Sequence, residues 1–260
     1  MDNTIHYDLL AKIKVVATDV DGTLTVDRGN YLIHRDAIDA IRELEENGIK
    51  VILVSGNTIP VLFGLSRYIG TSGPVVGENG CLVGYRGEII PVCSKSTREL
   101  VNLIIREFGD ELSPSWQNRY REYDYAFRPK IKSLEVHREL TERIRRFLEE
   151  KGITWAKVVS SGFAIHLIPA DAGKDRGLLK ALEIIDVRKE EVVGIGDGAN
   201  DVEMYNAVGL RVAVANADEL LKKYADIVLD EPSGRGFTKL ARLILDAKKK
   251  SFGDEHPEQL

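Results

Sequence analysis

Short apolar runs that close on Asp, Ser or Gly, each followed by an amphipathic helical stretch, recur at both ends of the chain. Strands are expected at 14–18, 49–54 and 75–77 with helices at 37–46 and 61–68 between them. The same rhythm returns with helices at 175–183, 201–207, 219–224 and 237–249 and strands at 192–195, 211–214 and 227–229. Strand, helix, strand in sequence requires a crossover and therefore parallel pairing. Parallel strands are buried on both faces, and Val51-Ile52-Leu53-Val54 is an unbroken apolar run of that kind. Both ends of the chain thus read as one doubly wound α/β domain.

The middle breaks the rhythm. It offers a helical stretch at 96–108, a strand near 123–127, a helix with Leu140, Ile144, Phe147 and Leu148 on one face, and two strands split by Ser161-Gly162. That order suggests an antiparallel sheet backed by helices, an α+β unit inserted into the first domain. The expected division is 1–93 with 169–260 for the core and 94–168 for the insertion. Residues 248–260 read as a frayed polar tail.

Charge and cysteines narrow the partners. Lys plus Arg number 36 against 41 Asp plus Glu, a formal charge of −5, and no basic stripe is visible, so neither nucleic acid nor a membrane surface is the expected partner. No apolar run approaches the roughly 18 residues that span a bilayer, and the N-terminus lacks the pattern of a signal peptide. A cytoplasmic protein acting on a small molecule is expected, with a homodimer left open. Cys81 and Cys93 flank a hairpin turning at Arg86-Gly87. Pairing Tyr85 with Glu88 sets Cys81 opposite Val92, so buried free thiols are expected in place of a disulfide or metal site.

Polar clusters sit where such a sheet binds ligands, at the carboxyl ends of its strands. The first strand runs into Asp19-Val20-Asp21-Gly22-Thr23. Two carboxylates so close resist joint ionisation unless a cation joins them, and their surroundings can split them into a nucleophile and a proton shuttle. Alone, Asp-Gly is as good a turn pair. The second strand opens into Ser55-Gly56-Asn57 and a helix with Pro60 in its first turn. A hydroxyl, a flexible amide and a helix N-terminus make an anion site, although Ser55 or Thr58 as a helix cap explains the same residues. The strand at 192–195 opens into Asp197-Gly198-Ala199-Asn200-Asp201, whose carboxylates add hard oxygen donors of the kind Mg²⁺ takes. Lys174, at the start of the helix after the insertion, is placed to neutralise a phosphoryl oxygen. A rival reading takes Gly194-Ile-Gly196-Asp-Gly198-Ala199, with Asp218 downstream, as a dinucleotide fingerprint. It would place Asp197 where a pyrophosphate approaches and leaves Asp19 and Asp21 unexplained.

With Asp19-x-Asp21-Gly-Thr, Ser55, Lys174 and Gly196-Asp197-x-x-Asn200-Asp201 in that order, the chain resembles the phosphatases of the haloacid dehalogenase superfamily over nearly its whole length. The resemblance implies a Rossmann-like core with a type-2 cap, inserted between the second and third motifs. Ser55-Gly56-Asn57 departs from the commoner Thr-Gly-Arg. Gly77-Glu78-Asn79-Gly80 and Asn118-Arg119-x-Arg121-Glu122 resemble the archaeal members that act on phosphoglycolate. By that resemblance Asp19 is the nucleophile and Asp21 the acid and base. Mg²⁺ is held by Asp19, Asp21 and Asp197 with Asp201 in support. Ser55, Gly56, Asn57 and Lys174 hold the phosphoryl group, Asn200 orients a metal carboxylate, and Arg119 and Arg121 read the leaving group. A sugar-phosphate phosphatase and a phosphotransferase or mutase of the same fold stay open as alternatives, since the core motifs recognise only phosphate.

Overall fold

Residues 7–131, 133–160 and 164–254 are described by a computed structural model. The chain opens with α1 (Tyr7–Ala11), β1 (Val15–Thr18), the strand pair β2 (Thr25–Asp27) and β3 (Asn30–Ile33), α2 (Arg35–Glu46), β4 (Lys50–Val54), α3 (Ile59–Ile69), β5 (Val75–Gly77), β6 (Leu82–Tyr85) and β7 (Glu88–Pro91). The middle holds α4 (Val101–Phe108), β8 (Leu112–Pro114), β9 (Tyr125–Pro129), α5 (Leu134–Glu150), β10 (Ala156–Ser160) and β11 (Ile165–Pro169). The chain returns with α6 (Lys174–Ile185), β12 (Val192–Gly196), β13 (Leu210–Ala213), α7 (Glu219–Tyr224), β14 (Ile227–Val228) and α8 (Ser233–Asp254).

Among the described residues eight strands form the main sheet in the order β14-β13-β12-β1-β4-β5-β6-β7. The first six are parallel, and β6 and β7 extend the edge antiparallel. Strand β1 is central, flanked by β12 and β4, so the chain ends carrying Asp19, Ser55 and Asp197 emerge side by side. Every residue of β1 and β12 is buried, as helix-covered parallel strands must be. Helix α2 shows how the covering forms: Ala37, Ala40, Ile41 and Leu44 recur at helical spacing and are its buried face. The imidazole of His34 caps its first turn, accepting from the Asp36 amide at 3.2 Å.

A second, antiparallel sheet runs β10-β11-β9-β8 and packs with α4 and α5 around its own apolar cluster, which includes Ile104, Phe127, Leu140, Ile144 and Leu167. This separate cluster supports, as a proposal, the division at 94–168. The ladder nevertheless carries Pro169 opposite Ala156, so the cap sheet reaches the boundary residue.

Several expectations are corrected by long-range contacts. The strand expected at 123–127 starts at Tyr125, because the Glu78 carboxylate takes the amides of Glu122, Tyr123 and Asp124, which are then lost to a ladder. The helix expected at 201–207 is two 3₁₀ turns, Ala199–Asp201 and Glu203–Ala207. Helix α8 continues to Asp254 where a frayed tail was expected from 248: Ala247 is buried and the Lys248 ammonium donates to the Ala11 carbonyl at 3.1 Å. Residues 255–260 and the Ser161-Gly162 break lie outside the described residues. Helix α1, the edge strand β8 and the β2–β3 pair had no expectation.

Cys81 and Cys93 form a disulfide, contrary to the expected free thiols. The hairpin register is as expected, with Tyr85 opposite Glu88 and Leu82 opposite Pro91. Beyond it, however, the Cys81 carbonyl accepts from both Val92 N at 2.8 Å and Cys93 N at 3.4 Å. Two residues there oppose one, as in a bulge, and Cys93 is drawn to a Cα separation of 4.8 Å from Cys81. The bridge is buried against Ile168 and Ala172, where the core hairpin meets the end of the cap sheet. Its closed loop spans 12 residues in sequence, so its loss is expected to cost about 3 kcal/mol through the unfolded chain's entropy. Thermal unfolding of Cys93→Ala against wild type, with and without reductant, checks this. Equal stabilities in oxidising buffer would contradict it.

Candidate active site

The sequence places four polar segments at strand ends, and the fold gathers them at one end of the sheet. Asp19 follows β1, Ser55 follows β4, Lys174 opens α6 and Asp197 follows β12. A lysine in the first turn of a helix opposes the helix dipole and calls for a compensating anion. Lys174 has two: its Nζ lies 2.6 Å from Asp19 Oδ1 and 2.5 Å from Asp201 Oδ1, and the side chain is almost wholly buried. Burial works against its charge, but the two carboxylates prevail and hold the ammonium above its ordinary value.

Asp19, Asp197 and Asp201 are all buried, and a carboxylate oxygen from each lies within 4.8 Å of the others. Burial lifts the Asp19 carboxyl well above its usual range; Lys174 opposes the lift, while Asp201 and Asp197 add to it. Asp197 is pushed up to about 6 by burial and by Asp201, against the pull of Arg28. Three carboxylates around one ammonium and the Arg28 guanidinium are still short of positive charge, and their hard oxygens suit a small divalent cation such as Mg²⁺. The donor set therefore fits that ion. Asp201 also buttresses the loop: its Oδ2 accepts from Asp197 N at 3.0 Å and Gly198 N at 2.9 Å. Those amides would have to cradle a pyrophosphate in the dinucleotide reading, and their engagement by a carboxylate rules it against.

Gly22 sits at φ +92°, and a Cβ built there would lie 2.3 Å from Asp197 Oδ2. Only glycine lets the turn after Asp21 pass so close to that carboxylate. The turn leads into the β2–β3 pair, whose tip returns Arg28 to the site. Its guanidinium donates to the Asp197 carboxylate and main-chain carbonyl.

Asp21 is held from the neighbouring loop. Asn57 Nδ2 donates to Asp21 Oδ2 at 2.9 Å and to Ser55 Oγ at 3.0 Å, and Asn57 N donates to the same hydroxyl oxygen at 3.1 Å. Ser55 Oγ accepts twice, which leaves its own O–H to donate. Burial raises the Asp21 carboxyl, while the Asn57 bond and the charges of Lys174, His166 and Arg128 oppose the rise. Asn57, expected on the phosphate, is tied by these bonds to Asp21 and Ser55. The cap reaches this loop through Gln117, which donates to Asn57 Oδ1 at 2.8 Å and accepts from Thr58 N at 3.0 Å. Thr58 is the N-cap of α3 but makes no side-chain capping bond.

Asp19, Asp21, Ser55, Asn57, Gln117 and Asp197 line one pocket with Gly56, Ser115, Ala126, Ala164, Gly198 and Asn200. Arg121 joins them, and Arg119 does not. The stretch Trp116–Tyr120 is a 3₁₀ turn, so residues two apart point in different directions instead of sharing a strand face. Arg119 is exposed over the Tyr120 ring, 6.0 Å from its centroid. Arg121 is buried and donates to Asp124 Oδ2 at 2.8 Å and to the Gly56 carbonyl at 2.9 Å, stitching the cap to the loop after β4.

The same seam contains Glu78 and Asn79, both in the left-handed region at φ +51° and +54°. Such backbone costs about 1 kcal/mol or more per residue. It is offset by the cap amides on Glu78 and by the Asn79 Nδ2 bond to Asp124 Oδ2 at 3.0 Å. Asp124 also receives His166 Nδ1 at 2.8 Å, and Arg121 beside it keeps its carboxyl below the usual range despite full burial. Asp124, His166, Arg128, Gln117 and Arg28 escaped sequence reasoning. The only local signal was Arg28-Gly29 as a turn directly after the first motif.

The sequence model of the haloacid dehalogenase-like hydrolases matches residues 16–114 and 121–239. A Staphylothermus marinus protein named phosphoglycolate phosphatase is 40% identical over 90% of this chain and 98% of its own length. A Metallosphaera sedula protein of the same name is 42% identical over 90% of this chain and 99% of its own. A crystal structure of a Thermoplasma acidophilum protein is similar with a TM-score of 0.75 at 30% identity, covering 90% of this chain and 98% of that one.

Proposed function

Because the chain belongs to the haloacid dehalogenase-like hydrolases, we propose that it is a cytoplasmic phosphatase that hydrolyses 2-phosphoglycolate to glycolate and phosphate through a phosphorylated Asp19. The observation that carries the chemistry is the pocket-facing Asp19 carboxylate tied at 2.6 Å to Lys174, with Asp21 and Ser55 on the same pocket wall. The relatives named phosphoglycolate phosphatase, matched over nine-tenths of this chain, support the substrate.

In the first step an Asp19 oxygen attacks phosphorus in line and the ester P–O bond breaks. Asp21, whose carboxyl burial raises above its ordinary value, gives a proton to the departing alkoxide. Water then attacks the phosphoryl group on Asp19, Asp21 takes the proton back, and phosphate leaves with the carboxylate restored. Lys174 and the Ser55 hydroxyl stabilise charge spreading over the phosphoryl oxygens. Mg²⁺, held by Asp19 and Asp197 with Asp21 and Asp201 beside it, would offset repulsion between carboxylate and phosphate. Asn200, half-buried on the pocket wall, stands beside these carboxylates.

The test is phosphate release from a panel of small phosphate esters, with Mg²⁺ and with chelator. Phosphoglycolate is expected to be the best substrate and chelator to suppress turnover; faster hydrolysis of sugar phosphates would overturn the substrate. Stability gives a second check, because an ion that binds only the folded state adds about 2.7 kcal/mol at a hundredfold excess over Kd. The melting temperature of chelated protein is expected to rise on adding Mg²⁺, and the rise should shrink in Asp197→Asn. A curve indifferent to Mg²⁺ would count against the ion.

A further inference from the structure

The roof of the pocket is one face of the cap sheet. In β9, Ala126 and Arg128 line the pocket, whereas Phe127 between them is buried in the cap's apolar cluster. In β11, His166 stands opposite Ala126 in the ladder and lines the same pocket, as does Ala164 two residues before it. Side chains two residues apart on a strand share a face, and diagonal neighbours across a ladder lie about 7–8 Å apart, within reach of a common ligand. The roof thus presents a guanidinium and an imidazole with two methyl groups beside them, so space is left between the polar groups.

Both polar groups are poised without being satisfied. Arg128 is exposed on the pocket side and forms no side-chain bond or ion pair among the described residues. His166 is buried and oriented: its Nδ1 lies 2.8 Å from Asp124 Oδ2 and 2.9 Å from Oδ1, so Nδ1 carries the hydrogen. Asp124 is itself fixed by Arg121 and Asn79. The other ring nitrogen, Nε2, makes no hydrogen bond among the described residues. A Cβ built on Gly56 would lie 3.2 Å from His166 Cε1, which places the ring directly over the loop after β4. Arg128 and His166 both bear electrostatically on Asp21, the group that faces the leaving oxygen. In phosphoglycolate the carboxylate is attached one carbon from that oxygen, so a cation near Asp21 is near the carboxylate as well.

We propose that Arg128 and His166 grip the carboxylate of the leaving alcohol and so determine substrate choice, with Ala126 and Ala164 leaving the room it occupies. This rests on the reading of the chain as a phosphoglycolate phosphatase and replaces the role expected of Arg119. Arg121 is committed to Asp124 and Gly56 and acts as a positioning residue.

The experiment compares kcat/KM for phosphoglycolate and for ethyl phosphate, an ester of similar size without the carboxylate, in wild type, Arg128→Ala, Arg128→Lys and His166→Gln. A charge-assisted hydrogen bond lost from a carboxylate corresponds to a change of about 10–100-fold. The preference for phosphoglycolate is expected to fall by about that factor in Arg128→Ala, chiefly through KM, and by about tenfold in His166→Gln. Arg128→Lys should recover part of it, since lysine keeps the charge but not the planar fork. Wild type that prefers phosphoglycolate, with variants that keep the full preference, would overturn this inference and leave the substrate standing. Equal losses on both esters would also overturn it, since a merely structural role does not distinguish them. Wild type without any preference for the carboxylate ester would overturn the substrate, and this inference with it.

Discussion

Asp19→Asn is expected to abolish turnover, by at least about 10⁴-fold, because the amide keeps the shape of the carboxylate but has no charge with which to attack phosphorus. The fold should survive. Lys174 retains its 2.5 Å contact with Asp201, and one fewer carboxyl relieves a cluster whose burial and mutual repulsion already raise Asp19. Phosphate release together with the melting temperature checks both halves. Trapped radiolabelled phosphoryl-enzyme should form in wild type and be absent from the variant. Turnover within tenfold of wild type would mean that another group is the nucleophile.

Asp21→Asn is expected to lower turnover of alkyl phosphates by about 10²–10⁴-fold, the usual contribution of a positioned acid and base. The loss in the first step should depend on the leaving group. Glycolate needs the proton as its P–O bond breaks, whereas p-nitrophenolate is stable as an anion. The variant should therefore release p-nitrophenolate in a burst of about one equivalent and then stall, because water still has to be activated to clear Asp19. Rapid-quench measurement of the burst tests this. A uniform loss without a burst would place Asp21 outside the proton path. Asn57 donates to Asp21 at 2.9 Å and neutral Asn at 21 can still accept there, so the substitution should leave the loop in place.

Much of this protein was legible in one dimension, because the features concerned are local. Burial on both faces makes the central strands continuous apolar runs, and Val192–Gly196 is found as a parallel strand as the alternation implied. Asp19, Ser55, Lys174 and Asp197 each follow a strand or open a helix, and parallel strands point their carboxyl ends the same way. Naming those four positions was therefore nearly equivalent to placing them together. The cap was visible as an interruption of rhythm for the same reason.

What the sequence alone could not settle depends on contacts between distant segments. Whether Cys81 meets Cys93 turned on a carbonyl accepting two amides beyond the regular hairpin, a shift of one residue to which spacing is blind. Arg119 and Arg121 share a spacing that suits a strand, but the chain there makes a 3₁₀ turn and sends them apart. The start of β9 was decided by Glu78, more than forty residues upstream, which takes three amides that a strand would have used. Arg128 and His166 carry no motif at all. They line the same pocket as Asp21 only because an antiparallel ladder sets His166 opposite Ala126 and turns that face toward the core. Period and residue chemistry are written along the chain and determined the fold class and the gathering of Asp19, Ser55, Lys174 and Asp197 at one end of the sheet. Register, bulges and the docking of the cap are set by free energies summed over segments far apart in sequence, and only the tertiary structure decided them.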